Sequence, residues 1–318
     1  MTKIGVVGAG AFGSALAVSL AEAGRNVELW GRGGELLAKE IAAGRLPKLE
    51  NTAVPDGLVS RSAISDISAD TVLVAVPTQN LRQFLETNTA ALSDKTLVLC
   101  CKGITRDKGL RPSEVARECC GAQNIAVLTG PSFAADIGRR LPTALTLATP
   151  SEDQELQRLL TTNTLRIYLT DDVVGAELGG ALKNVVAIVA GMTIGAGLGE
   201  SARSAVITRG FAEMMRFAQS FGANPLTMTG LSGLGDLLLT ASSEKSRNYR
   251  AGLLLGQEKP LPDDWTIEGV ATSHAVNKLA RGSGIDMPIT GVLTSILDGR
   301  TSVLDAANIL MSRPLRRE

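Results

Sequence analysis

A G-x-G-x-x-G run near the amino terminus, Gly8-Ala9-Gly10-Ala11-Phe12-Gly13, narrows the folds open to this chain more than any other stretch in it. It lies between a short β-type run, Lys3-Ile4-Gly5-Val6-Val7, and a helical stretch from Ala11 to Ala23 that Gly24 closes. With 34 glycines in the chain, the run alone says little; its position carries the argument. Between a strand and a helix it turns bare backbone N–H groups and the positive helix end toward a pyrophosphate. Gly8 makes the tight turn, Gly10 lets phosphates approach the backbone, and Gly13 lets the helix pack closely on the strand. The chain supplies its own control in Gly195-Ala196-Gly197-Leu198-Gly199, which follows a long helix and no strand and so reads as a linker or lid.

The same glycines settle a second question. Ile4 to Leu20 carries no charge, Lys3 precedes it, and Ala21-Glu22-Ala23 loosely resembles a cleavage site, which together imitate a signal peptide or membrane helix. Gly5, Gly8, Gly10 and Gly13 would break such a helix, whereas a strand, a turn and a buried helix need them there. A soluble cytoplasmic protein without stable membrane insertion is expected. The 32 basic residues balance the 32 acidic ones and aromatics are only 3%, which argues against nucleic acid as a partner. The four cysteines form the adjacent pairs Cys100-Cys101 and Cys119-Cys120, a spacing that suits buried apolar packing and not a metal; none is expected. The single histidine, His274, sits in a helical stretch and reads as structural.

Apolar β-type runs recur at Asn26 to Trp30, Thr71 to Val76, Thr96 to Cys100 and Ile125 to Leu128. Helix-length amphipathic stretches separate them around 79–91 and 112–120. Runs at 142–147 and 165–169, flanking a helix from Ser151 to Leu160, extend the same sheet. Strands apolar on both faces belong in a parallel sheet covered by helices. The expected fold is α/β: an N-terminal Rossmann domain, doubly wound and mostly parallel, over 1–171. Long helical segments after Thr170 predict an all-helical substrate-binding and catalytic domain over 172–318, an arrangement similar to that of 6-phosphogluconate dehydrogenases.

At the end of the second strand an acidic residue would bond a ribose 2′-hydroxyl, and an arginine would suit a 2′-phosphate. The chain reads Trp30-Gly31-Arg32, with Glu28 inside the strand and pointing away, which favours NADP(H) while leaving NAD(H) open. In the second half, Val173 to Met192 is apolar around most of its circumference, yet Lys183-Asn184 interrupts it. Burial disfavours an ammonium and would bring the lysine into the range of acid–base work near neutrality. The alternative is a lysine paired with Asp236 or Glu177 to anchor two helices, and the residues alone leave both readings open. Gly233-Leu234-Gly235-Asp236 delivers a carboxylate just before the apolar Leu237-Leu238-Leu239, with Thr240 one helical turn later. Ser246-Arg247-Asn248, ahead of the helical run Tyr249 to Leu255, places a hydroxyl, a guanidinium and an amide at a helix N-terminus. That is a ready anion site or a plain capping turn.

Taken in order, Gly8 to Gly13, Cys101-Lys102-Gly103, Gly130-Pro131-Ser132-Phe133-Ala134, Gly179 to Asn184, Gly233 to Leu237, Ser246-Arg247-Asn248 and Ile267-Glu268-Gly269 are specific. Over about residues 3 to 300 the chain strongly resembles the NAD(P)-dependent glycerol-3-phosphate dehydrogenase family of the bacterial type. The resemblance implies reversible hydride transfer between NAD(P)H and dihydroxyacetone phosphate, giving sn-glycerol 3-phosphate for phospholipid synthesis. Carried over residue by residue, Lys183 would exchange the proton with the carbonyl oxygen, and Lys102 would lie between nicotinamide and substrate and polarise the carbonyl. Asn184, Asp236 and Thr240 would hold the lysine and the substrate hydroxyls. Arg247, with Ser246 and Asn248, would bind the substrate phosphate and also reach the cofactor. Gly130 and Ser132 would shape the substrate pocket, while Gly8, Gly10, Ala11, Phe12, Gly13, Arg32, Ala134 and Glu268 would contact the cofactor. A homodimer is a further implication of the resemblance.

Three positions depart from the family pattern. Ala11-Phe12 stands where a serine followed by an aromatic residue is common, which removes one hydroxyl contact to the cofactor. Glu200-Ser201 replaces a frequent Asn-Ala after the second glycine run, and Asp136 replaces a Glu. The rival readings are a 6-phosphogluconate or 3-hydroxyisobutyrate type of hydroxyacid dehydrogenase and a non-catalytic NADPH sensor. The Ser246-Arg247-Asn248 phosphate trap and the Asp236 loop argue against the first, and the presence of both Lys183 and Asn184 against the second.

Overall fold

The computed structural model describes residues 2–50, 52–121, 124–263 and 265–314. The chain divides into two compact units, Met1–Lys102 with Arg111–Glu177, and Gly103–Leu110 with Leu178–Glu318. Gly103–Leu110 groups with the helical residues, although nothing in its own sequence marks it as part of them.

The first unit alternates β1 (Lys3–Val7), α1 (Ala11–Glu22), β2 (Asn26–Trp30), α2 (Gly34–Ala42), β3 (Leu58–Arg61), β4 (Thr71–Val74), α3 (Thr78–Thr87), α4 (Thr89–Leu92) and β5 (Thr96–Leu99). It continues with α5 (Pro112–Cys120), β6 (Ile125–Thr129), α6 (Ala134–Gly138), β7 (Thr143–Ala148), α7 (Gln154–Leu160) and β8 (Leu165–Thr170). The eight strands form one sheet in the order β3-β2-β1-β4-β5-β6-β7-β8. Every neighbouring pair is parallel except β6 and β7, which run antiparallel with Leu128 opposite Leu147. Strand order reverses between β1 and β4, and in open α/β sheets the crevice outside the carboxyl ends at such a reversal is where ligands bind. The sheet and α1 bury Ile4, Val6, Leu16, Leu20, Val27, Leu29 and Leu73 completely, which holds β1 and the loop after it in place.

Two strands departed from the sequence pattern. β3, absent from the hydrophobic reading, is a four-residue edge strand with only Leu58 buried. β7 joins antiparallel because the turn after β6 and the short α6 return the chain in the opposite sense beside the same edge. The expected helix around 79–91 is broken at Asn88 into α3 and α4.

The second unit is helical, with most of α8 (Val173–Gly195), then α9 (Glu200–Ser220), α10 (Pro225–Thr229), α11 (Asp236–Ala241), α12 (Arg247–Gly256), α13 (Glu268–Gly282), α14 (Pro288–Leu297) and α15 (Val303–Met311). Among the described residues α8 is the one helix long and apolar enough to cross a membrane, but 94% of its apolar window is buried, as in a core helix. Val185, Ile188, Val189 and Met192 of α8 pack with Ile289 and Leu293 of α14. Glycines bring α12 against the backbone of α8: a Cβ on Gly252 or Gly256 would run into the carbonyls of Ile188 or Met192, and one on Gly191 or Gly195 into those of Tyr249 or Leu253. His274 is structural, with Nδ1 2.9 Å from the Val270 carbonyl and Nε2 3.0 Å from Asp298. The cysteines are free, and burial pushes the Cys100 thiol up to about 12.

Each unit also buries a carboxyl whose partner the sequence pattern did not indicate, Glu177 in the first and Glu213 in the second. Glu177 accepts from Ser113 N–H and Oγ–H, both at 2.7 Å, and burial pushes its pKa up to about 7. Glu213 accepts from the N–H groups of Ile289 (2.6 Å) and Thr290 (3.2 Å) at the start of α14, and burial again raises it to about 7. A folded-state pKa above the value of the unfolded chain means that the folded protein holds a proton the unfolded chain releases. The stability this contributes is complete below the ordinary carboxylate range and is lost as pH rises through about 7. Thermal melting from pH 5 to pH 8 should therefore show a decline that Glu213→Gln makes shallower, by on the order of 2 kcal/mol across that window whatever its effect at a single pH. An unchanged slope would mean that Glu213 is ionised throughout.

Candidate active site

The glycine loop has the geometry a pyrophosphate requires. Gly8 sits at φ +110° and donates its N–H to the Trp30 carbonyl at 2.8 Å. A side chain there would collide with the Ala75 carbonyl, and one at Gly13 with the carbonyl of Gly8 itself. Around Gly10, by contrast, a Cβ would meet nothing within 4 Å, which leaves the backbone open to a bulky ligand. Gly10 is also the N-cap of α1, with no side-chain cap and no acidic residue in the first turn. The N–H groups at the start of a helix lack intrahelical partners, so those of Ala11, Phe12 and Gly13 face the opening with a positive field and no competing carboxylate.

Beside the loop, at the ends of β5 and β6, the Lys102 Nζ donates to the Gly130 carbonyl at 2.9 Å and lies 5.7 Å from the centre of the Phe12 ring. Ser132 Oγ–H donates to the same carbonyl at 3.3 Å. Phe12, Lys102, Gly130 and Ser132 thus converge although three separate segments supply them. Ala134 opens α6 and packs against the core of the unit. Arg32 is exposed in the turn after β2. Glu28 is 2% exposed and its carboxylate accepts from Ser68 N–H at 2.7 Å, Ala69 N–H at 3.0 Å and the Arg61 guanidinium. Burial works to raise the Glu28 pKa, but Arg61 and the three donors of Ser68 and Ala69 hold it below the usual value. Its carboxylate is therefore committed inside the sheet. Arg61, the partner that commits it, lies 33 residues away on β3 and carries no local signal in the sequence.

In the helical unit Lys183 is 6% exposed and its Nζ donates to Asp236 Oδ1 at 2.6 Å and to Thr240 Oγ1 at 2.8 Å. Asp236 is fully buried and Thr240 is 4% exposed. Of the two carboxylates the sequence offers, Asp236 is the one on Lys183, while Glu177 is held by Ser113 in the other unit. Asp236 and Thr240 share one face of α11 because they are a single helical turn apart. A π-helical turn, Leu231–Gly235, feeds directly into α11, where the sequence suggested a plain glycine turn. Gly233 within it packs so closely on the Met228 carbonyl that no side chain fits. Such π turns recur at functional sites.

The start of α12 forms a second group. Ser246 is its N-cap, with Oγ accepting from Tyr249 N–H at 3.2 Å, and Arg247 is exposed at the first helical position. A hydroxyl that accepts from the backbone still has its own proton to donate outward. Asn248 Nδ2 donates to Asn184 Oδ1 at 2.9 Å, and Asn248 Oδ1 accepts from Gly269 N–H at 3.0 Å. That link between α8, α12 and the start of α13, where Glu268 lies, spans separations no sequence periodicity reports.

Comparison with known proteins places the whole chain in one family. Residues 3–156 match the family model of the NAD-dependent glycerol-3-phosphate dehydrogenase N-terminus, and residues 172–308 that of its C-terminus. The chain is 50% identical over 318 residues to a glycerol-3-phosphate dehydrogenase [NAD(P)+] of Paracoccus denitrificans, covering 99% of this chain and 100% of that one. It is 44% identical to the protein of that name in Mesorhizobium japonicum, over 99% of this chain and 94% of the relative. The crystal structure of glycerol-3-phosphate dehydrogenase from Coxiella burnetii superposes with a TM-score of 0.91 at 33% identity, covering 98% of this chain and 99% of that one. The chain belongs to the NAD-dependent glycerol-3-phosphate dehydrogenase family.

Proposed function

We propose that this protein reversibly reduces dihydroxyacetone phosphate to sn-glycerol 3-phosphate with NADPH, and with NADH less well. The observation that carries the reading is the buried Lys183 ammonium, held by Asp236 and Thr240 in a largely apolar helix. A bound nicotinamide cofactor supplies or takes up the hydride. The chain's own groups do the rest. Lys183 Nζ gives a proton to the carbonyl oxygen in reduction and recovers it in oxidation. Asp236 supplies the counter-charge the buried ammonium requires, and Thr240 fixes a second Nζ hydrogen bond, so the two together orient the ammonium. Asn184, next in the chain, accepts from Asn248 Nδ2 at 2.9 Å and has its own Nδ2 3.4 Å from the Gly180 carbonyl, which fixes the residue beside the lysine; the family resemblance assigns it to holding the lysine and the substrate hydroxyls.

Two helix N-termini bind the two phosphorylated molecules. The uncapped start of α1, with Gly8, Gly10, Ala11, Phe12 and Gly13, takes the cofactor pyrophosphate. Arg32 takes the 2′-phosphate, since Glu28 is committed elsewhere and leaves no carboxylate to prefer a free ribose hydroxyl. Lys102, Gly130, Ser132, Ala134 and Glu268 complete the contacts the family resemblance assigns to them. The start of α12 takes the substrate phosphate through the Arg247 guanidinium, the Ser246 hydroxyl and the main-chain N–H groups of the first turn, where no acidic residue competes. The reading extends to a cytoplasmic homodimer that supplies phospholipid synthesis, supported by the family resemblance.

Purified protein should consume NADPH when dihydroxyacetone phosphate is added; no consumption sinks the assignment. Lys183→Ala should lower kcat by roughly 10²- to 10⁴-fold while NADPH affinity, read by nucleotide fluorescence, stays within a few-fold. A variant with normal turnover would return the lysine to a helix-anchoring role. For Arg247→Ala, losing a charge-assisted contact of about 1.5–3 kcal/mol should raise the KM for dihydroxyacetone phosphate by roughly 10- to 100-fold. An unchanged KM moves the phosphate site elsewhere. Arg32→Ala should lose most of the preference for NADPH over NADH, measured as the ratio of kcat/KM values, and an unaltered ratio assigns the 2′-phosphate to another group.

A further inference from the structure

We propose that Tyr249 is a positioning residue for the phosphate site at the start of α12, and that Arg203 of α9 holds it in place. The proposal rests on the functional reading above and deepens it, since it names what keeps that site in shape. Tyr249 is the third residue of α12 and is 4% exposed. It is fixed at three points. Its N–H donates to Ser246 Oγ at 3.2 Å, which leaves the hydroxyl proton of Ser246 for an outside acceptor. Its carbonyl lies against α8, where a Cβ on Gly191 would stand only 2.0 Å away, so α8 meets it with bare backbone. Its phenol oxygen accepts from Arg203 Nη1 at 3.3 Å. The first contact shapes the anion site itself, and the other two come from different helices.

Arg203 is itself held. Glu200, three residues earlier on α9 and one of the positions that depart from the family pattern, pairs with Nη2 of the same guanidinium. The Arg203 Nε–H is buried and, among the described residues, has no hydrogen-bond partner. A side chain lying free on the surface would hydrate that group; here it is enclosed, so the guanidinium has little freedom to leave the Tyr249 hydroxyl. The turn ahead of α9 shows why such a tie matters. Gly197 and Gly199 have φ of +72° and +87°, and a Cβ on either would meet nothing within 4 Å. The backbone bonds of this turn are local, from Ala196 N–H to the Met192 carbonyl and from Leu198 N–H to the Thr193 carbonyl. An open turn with two glycines in the left-handed region imposes little on where α9 begins. The glycine run that reads as a linker or lid is therefore latched to the phosphate site through one arginine. An anion held by a hydroxyl, a guanidinium and main-chain N–H groups needs all three to converge, and a first turn of α12 free to rock would spread them.

Tyr249→Phe removes the phenol hydroxyl and keeps the ring, Arg203→Ala removes its donor, and the double variant removes both. Each is measured for inorganic phosphate binding by calorimetry and for KM and kcat with dihydroxyacetone phosphate. Either single variant should weaken inorganic phosphate binding and raise the KM by about 3- to 10-fold, the size expected for one lost hydrogen bond. The double variant should be no weaker than the worse single one, because the two side chains act as a unit. kcat should stay within about threefold of wild type, since Lys183 keeps its bonds to Asp236 and Thr240. Wild-type phosphate binding in Tyr249→Phe overturns the proposal; a loss confined to Arg203→Ala would mean that the guanidinium acts by its charge alone. Effects that add in the double variant overturn it as well. If Arg203→Ala does not melt cooperatively, Arg203→Lys, which keeps the charge but loses the fork between Glu200 and Tyr249, takes its place in the cycle. Wild-type protein that binds inorganic phosphate but is inert toward dihydroxyacetone phosphate defeats the functional reading, and the calorimetry then decides the proposal separately. Wild-type protein that binds no inorganic phosphate overturns the proposal.

Discussion

A lysine ammonium in the middle of a buried apolar helix has to be met by a counter-charge, and the helical unit is organised around that requirement. Taking an ion of that size out of water costs several kcal/mol even after relaxation, and a counter-ion offsets it only with good geometry and further hydrogen bonds. Asp236 and Thr240 supply both, from one face of α11. A carboxylate fully removed from solvent would be as costly as the lysine without its partner, so each group makes the other tolerable. A π-helical turn leads directly into α11, and Gly233 lets that turn press on the Met228 carbonyl. Removing either partner would leave the other charge buried and unpaired, so the two groups depend on each other for their place in the fold.

Backbone does much of the remaining work, in a similar way in both units. Each phosphate group is assigned to a helix N-terminus whose first turn has no acidic residue. The two ends differ in how they are completed. α1 begins on a bare glycine that leaves its N–H groups uncovered by any side-chain cap, while α12 begins on Ser246 and carries Arg247, so its start presents a hydroxyl and a full positive charge. Ala11 and Phe12 contribute little polarity of their own. Phe12 instead lies against the Lys102 ammonium, where its ring face offers weak electrostatic attraction without a hydrogen bond.

Much of this was legible beforehand because it is local. The strand–glycine–helix order, the buried helix interrupted at Lys183, and the spacing of Asp236 and Thr240 are all set within stretches shorter than a helix. Their physics depends on period and turn chemistry, which a single segment carries. β3 escaped because four residues on a sheet edge, with one inward side chain, have neither a run of apolar residues nor an alternation long enough to register. The break at Asn88 escaped for a similar reason: one residue at φ −118° interrupts two helices whose hydrophobic pattern continues across it.

By itself the sequence determined the mostly parallel sheet, the strand–glycine–helix loop and the residue types placed near Lys183 and at the start of α12. These follow from spacing along one segment and from the fixed chemistry of each side chain. Only the tertiary structure decided which of two carboxylates Lys183 would meet. It also decided that Arg61 would commit Glu28, that Lys102 would reach Gly130, and that Asn248 would join Asn184 to Gly269. Each of those is a bond between residues at least 21 apart, made only after the helices and strands have packed. The partners are chosen by distance in space, a quantity to which a linear pattern has no access.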